Sequence, residues 1–134
     1  MQSRPIVTAL IMAQAIRVND GQVFDLASVV NAVQSDVYPA AAANAFYAAV
    51  MNVVGDRELA LTYSGPGERG NELQRHPMRI RDSDALMTHQ LGVFWNFTYP
   101  EPGLYWLRLL DGDNVLAEKP IPVLLAVGLP TNQA

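Results

Sequence analysis

Residues 97–125 read FTYPEPGLYWLRLLDGDNVLAEKPIPVLL, a strand, a corner, and then a strand pair. The first strand ends at Tyr99. In Pro100-Glu101-Pro102-Gly103, two prolines fix the backbone and a glycine frees it, so the chain turns sharply there. From Leu104 the side chains alternate: Tyr105, Leu107 and Leu109 on one face, Leu104, Trp106, Arg108 and Leu110 on the other. Asp111-Gly112-Asp113-Asn114 supplies a turn, and VLAEKPIPVLL returns as the last strand. Pro120 and Pro122, two apart, remove donors from one edge of that strand and blunt it against further pairing.

Upstream, glycines and prolines punctuate the chain at the short intervals of a strand-rich domain. Ile6 to Val18 is apolar on both faces, as a buried strand would be, and stops at the turn signal Asn19-Asp20-Gly21. A second strand region runs from Gln22 to about Gln34, although VVNAVQ also fits the end of a short helix. AAAANAFYAAVMNVV is ambiguous. Alanine favours a helix, whereas Phe46, Tyr47, Val50, Val53 and Val54 favour a strand, and a strand from about Ala45 to Val54 is the preferred reading. RELALTY alternates like a half-buried strand. SGPGERGNE (64–72) is the most polar, glycine-rich loop. Leu73 to Arg81 is an edge strand broken at Pro77. In His89 to Tyr99, Val93, Trp95, Phe97 and Tyr99 share the inner face.

Gly103, Tyr105 and Leu107 have the spacing of the tyrosine corner of immunoglobulin-like sandwiches, in which the Tyr hydroxyl ties back to the backbone where the chain crosses between sheets. Leu107 takes the core position that antibody domains fill with cysteine. The chain also resembles a family of uncharacterised bacterial and phage-borne β-sandwich proteins. Asp20-Gly21, the PEPGLYWL corner, Asp111-Gly112 and Glu118-Lys119-Pro120 carry that resemblance. It implies a fold and no activity. The expected architecture is an all-β, immunoglobulin-like antiparallel sandwich of seven to eight strands, with room for one short helix near residues 28–50, in a single domain spanning residues 1–134.

Composition narrows the function classes. The 134 residues are 50% hydrophobic and 16% charged, against roughly 25% charged in an average domain. A small domain has much surface to cover, so scarce charge fits either a surface buried against a partner or a polar, uncharged skin. A net charge of −4 with no basic stripe argues against nucleic acid. No apolar run approaches the roughly 20 residues of a membrane-spanning helix. The absence of cysteine excludes disulfides and thiolate metal sites. Arg4 followed by PIVTALIMA and Ala13-Gln14-Ala15 mimics a signal peptide, but the stretch opens with Pro5 and is β-rich. It therefore reads as a strand, and the expected location is intracellular or in a virion.

Candidate sites are few. His76 and His89 stand beside no nucleophile or zinc motif, so no catalytic residue is assigned and no enzyme is expected. Asp82, Asp84, Asp111 and Asp113 lie in loops expected at one pole, with Asp36 joining them. Converging loop carboxylates are how sandwich domains hold calcium, yet Asp-Gly-Asp-Asn is also an ordinary hairpin turn. No cofactor is implied. Leu104, Trp106, Arg108 and Leu110 form an outward stripe with the composition of a protein interface. Trp106 could instead stack on a sugar or lie under a loop of its own chain. The expected function is a non-catalytic structural or protein-interaction module, self-associating or part of a larger assembly such as a virion. The alternative is a small-ligand module, binding carbohydrate through Trp106 or calcium through the aspartates.

Overall fold

The computed structural model describes residues 4–19, 23–67 and 70–126. Among them the chain forms β1 (Ile6–Asn19), β2 (Val23–Val30), β3 (Val33–Ser35), β4 (Ala40–Met51), β5 (Gly55–Ser64), β6 (Glu72–Ser83), β7 (His89–Tyr99), β8 (Gly103–Asp111) and β9 (Asn114–Leu125). One sheet has the order β2-β1-β4-β7, the other β3-β9-β8-β5-β6. All pairings are antiparallel except β3 on β9, where Val33 faces Val123. Consecutive strands β7 and β8 lie in different sheets, so the PEPG corner carries the chain across the sandwich. The fold is an all-β, immunoglobulin-like sandwich.

Two expectations change. β3 is a ninth strand: the segment expected as one strand to Gln34 breaks after Val30, and its last residues cross to the other sheet. No helix forms between 28 and 50; the preferred strand reading of the alanine run holds, as β4, which starts earlier than expected at Ala40 and lies between β1 and β7. Helix propensity is overridden by packing on both faces. Phe46, Ala48 and Val50 point into the core, while Ala45 and Ala49 on the other face are also buried. On that outer face the β1–β2 hairpin leans back across the sheet. Phe24 tilts against Tyr47 with ring centroids 5.2 Å apart, and a Cβ at Gly92 on β7 would sit 3.1 Å from Phe24 and 3.3 Å from Ile16. The Asp20-Gly21 turn lies outside the described residues.

Between the sheets, Phe46 packs on Trp95 and Tyr63 at 4.8 and 5.1 Å between ring centroids. Met12, Leu59, Leu61, Leu107, Leu109 and Ile121 fill the layer. On β5, Leu59, Leu61 and Tyr63 face inward, while Ala60, Thr62 and Ser64 lie buried on the outside. Thr62 is flanked in register by Arg75 on β6 and Arg108 on β8, whose long stems cover the small residue between them.

Candidate functional site

Tyr105 is fully buried, and its hydroxyl donates to the Glu101 carbonyl at 2.7 Å. Its ring stacks on Tyr63 and meets Tyr99 edge-on at 5.1 Å. The approach is tight enough that a Cβ at Gly65 would fall 2.5 Å from the Tyr105 ring. Gly65 has φ 150°, a conformation that side chains rarely adopt. The backbone of Gly67 donates to Leu104 O at 2.8 Å, fastening the start of the β5–β6 loop onto β8. Deeper in, the Tyr63 and Tyr99 hydroxyls lie 3.1 Å apart, and Asn44 Nδ2 donates to Tyr99 at 3.3 Å. Burial raises all three phenol pKa values, Tyr99 to about 12, and the Tyr99 hydroxyl adds to the rise at Tyr63. The bond to Glu101 partly offsets the rise at Tyr105. This cluster is a structural pin between the sheets.

Along β8, Leu107 and Leu109 point into the core with Tyr105, while Leu104, Trp106, Arg108 and Leu110 point out. The four outward residues are not alike. Leu104 is 40% exposed. Trp106 is half-buried between Ser64 on β5 and Pro120 on β9. Its indole N–H is buried with no acceptor among the described residues. The Arg108 guanidinium sits 5.0 Å from the centre of the Trp106 ring and also binds Glu118 at 2.9 Å. One indole face is therefore already taken, which narrows the room for a stacked sugar. Leu104 pairs with Pro122 and Trp106 with Pro120, so both prolines lie on the same outer face, with Leu124 two residues on. An apolar depression of about 390 Å³ opens there, lined by Pro102, Leu104, Pro122, Leu124 and Leu125. The sequence reading used these prolines only to blunt an edge and missed that their two-residue spacing extends the stripe.

The aspartates do not converge. Asp36 follows β3, which runs parallel to the end of β9, so it lies at the end of the sandwich away from the β8–β9 turn. The extra sheet switch at β3 reverses the pole expected for it. Asp111 Oδ2 accepts from Arg57 Nε at 3.1 Å. Asp84 Oδ1 accepts from Leu86 N at 2.9 Å, closing a turn. Asp82 has φ 52°, and its N–H donates to Asp56 at 2.9 Å. Asp113 lines a polar trough with Arg75 and Glu118 on the outside of the five-stranded sheet. Among the described residues no three acidic or histidine side chains gather to hold a metal.

One close pair escaped the sequence reading. Ser83 Oγ and His89 Nε2 are 2.7 Å apart. Ser83 is buried and its hydroxyl also reaches Asp84 O at 3.2 Å. The pair clasps β6 to β7, and thus one sheet to the other. No sequence motif marks it, because the two residues meet only after the 83–89 loop closes. His76 sits on β6 opposite Leu61.

Neither protein-family models nor curated protein sequences return a match to this chain. Among solved structures, an immunoglobulin-like protein from Pseudomonas aeruginosa superposes over 92% of this chain and 98% of its own, at 16% identity and a TM-score of 0.43. A β-glucosidase from Listeria innocua superposes at 7% identity and a TM-score of 0.40, over 89% of this chain and 16% of its own. The fold assignment stands on strand order and the corner, not on these likenesses.

Proposed function

We propose that the chain is a non-catalytic structural subunit. It self-associates, or joins a larger assembly such as a virion, through the outer face of β8 and β9. The observation that supports this is the continuous apolar surface of Leu104, Trp106, Pro120, Pro122 and Leu124. It ends at the internally paired Arg108 and Glu118, so a second copy laid against it meets no unpaired like charge. A chain with only 16% charged residues has little else with which to keep such a surface apart.

The test is particle mass by light scattering over a dilution series, for the wild type, Leu104→Glu and Trp106→Ala. Leu104 is the more exposed of the two, so Leu104→Glu should abolish this contact with a smaller effect on the unfolding midpoint than Trp106→Ala. Trp106→Ala should weaken association by about 2 kcal/mol, as truncation of an interface anchor does. It should also lower the midpoint, because the indole is half-buried. A mass that Leu104→Glu does not change would overturn the proposal.

A further inference from the structure

The outer face of the five-stranded sheet carries polar chemistry beside its apolar surface. Thr62 on β5 pairs with Arg75 on β6 and with Arg108 on β8, and Arg108 in turn pairs with Glu118 on β9. Two residues along β5, Ser64 pairs with Glu72 on β6. Period-two alternation puts Thr62 and Ser64 on one face. There, with Glu72, Arg75, Arg108 and Glu118, they line a trough of about 520 Å³, a size typical of small-ligand sites. Asp113 from the β8–β9 turn adds a third carboxylate.

The floor of the trough is small and polar. Thr62 is 1% exposed and Ser64 7%, and neither hydroxyl has a hydrogen-bond partner among the described residues. Among those residues Trp106 Nε1 is the sealed side-chain polar atom that lacks a partner. The Thr62 hydroxyl is therefore not sealed: it is most of what solvent reaches of that side chain, and it points into the trough. An unpaired hydroxyl at a nearly buried position is costly unless water or a ligand meets it. The walls are held in place. Arg75 Nε donates to Glu72 at 3.1 Å and Arg108 Nε to Glu118 at 2.9 Å. Each wall thus presents a guanidinium, which only donates, beside a carboxylate, which only accepts.

We infer that this trough binds a neutral saccharide. An anion would meet the three carboxylates, and a cation the two guanidinium groups. A sugar hydroxyl both donates and accepts, so neighbouring ring hydroxyls can bridge each arginine–carboxylate pair while Thr62 meets another from below. The ion pairs order the arginines before the ligand arrives, which lowers the cost of binding. No stacking on Trp106 is needed, and Arg108 already lies over that ring. The Arg108–Glu118 pair separates the trough from the apolar β8–β9 surface. The inference therefore goes beyond the proposed self-association and does not rest on it.

The test is an amide-resolved NMR titration with the methyl glycosides of glucose, mannose and galactose, and with maltose and lactose. At least one should shift the amides of Thr62, Ser64, Arg75 and Arg108 together and saturably, in the wild type and in Leu104→Glu alike. Thr62→Val should weaken that binding about fivefold, the worth of one neutral hydrogen bond. It should not lower the unfolding midpoint, because the hydroxyl has no partner in the fold. Arg75→Gln, at an exposed position, should weaken binding by at least about tenfold. Sodium sulfate should not move these amides as a set. No saturable shift with any of the sugars, sulfate moving the same amides in their place, or sugar binding that Thr62→Val and Arg75→Gln leave unchanged would each overturn the inference. The particle mass of Leu104→Glu separately reports the β8–β9 contact.

Discussion

Replacing Tyr105 by Phe removes one oxygen and leaves every ring contact in place. The lost hydroxyl donates to Glu101 O at 2.7 Å. Glu101 is exposed, so water can take over its carbonyl, and the orphaned-acceptor penalty stays small. The cost is then the net worth of one hydrogen bond, about 1 kcal/mol. Unfolding entropy near 2.1 cal/mol/K per residue gives about 0.28 kcal/mol/K for this chain, so the melting midpoint should fall by about 3–4 °C. Tyr105→Ala is the contrast. It empties the space against Tyr63 and Tyr99 and should cost about 3–5 kcal/mol, as buried aromatic truncations do. Urea unfolding followed by circular dichroism measures both. A Phe variant with an unchanged midpoint would show that the hydroxyl contributes nothing to the corner. One as unstable as the Ala variant would show that the bond, not the ring, holds the sheets together.

Alkali should unfold the protein cooperatively. The buried phenols of Tyr63 and Tyr99 have folded-state pKa values raised above the unfolded value of about 10, that of Tyr99 to about 12. The stability they contribute is fully present below pH ~10 and is lost as pH rises toward the folded value. Tyrosinate absorbance from the buried phenols should therefore appear together with loss of β-sheet signal, and ionisation well before unfolding would refute their burial. Asp111→Asn should lower stability by up to about 1 kcal/mol, and less in high salt, because the Arg57–Asp111 pair is partly exposed. Millimolar calcium should leave the wild-type midpoint unchanged, and an upward shift would reveal a site that the scattered aspartates do not form.

The C-terminal third was legible because its information is local. Two prolines and a glycine make the corner, period-two alternation assigns the faces of β8, and Asp111-Gly112 makes the turn. Those features act within a few residues, so they can be read without knowing the rest of the chain. The alternation also separated Leu104, Trp106, Arg108 and Leu110 from Tyr105, Leu107 and Leu109. It could not tell that Arg108 is tied to Glu118 while Leu104 is open, since that depends on which strand lies alongside. β4 is the clearest limit. Its alanines read as helix or strand alike, and what decides is pairing with β1 and β7 and burial on both faces, contacts with distant strands rather than with near neighbours. Asp36 was misplaced for the same reason, because three residues of β3 crossing to pair with β9 change which end of the sandwich it occupies. The Ser83–His89 clasp belongs wholly to the tertiary structure. Strand periodicity states which face a side chain takes, whereas the order of strands in a sheet, and so which edges stay open, is set by long-range packing.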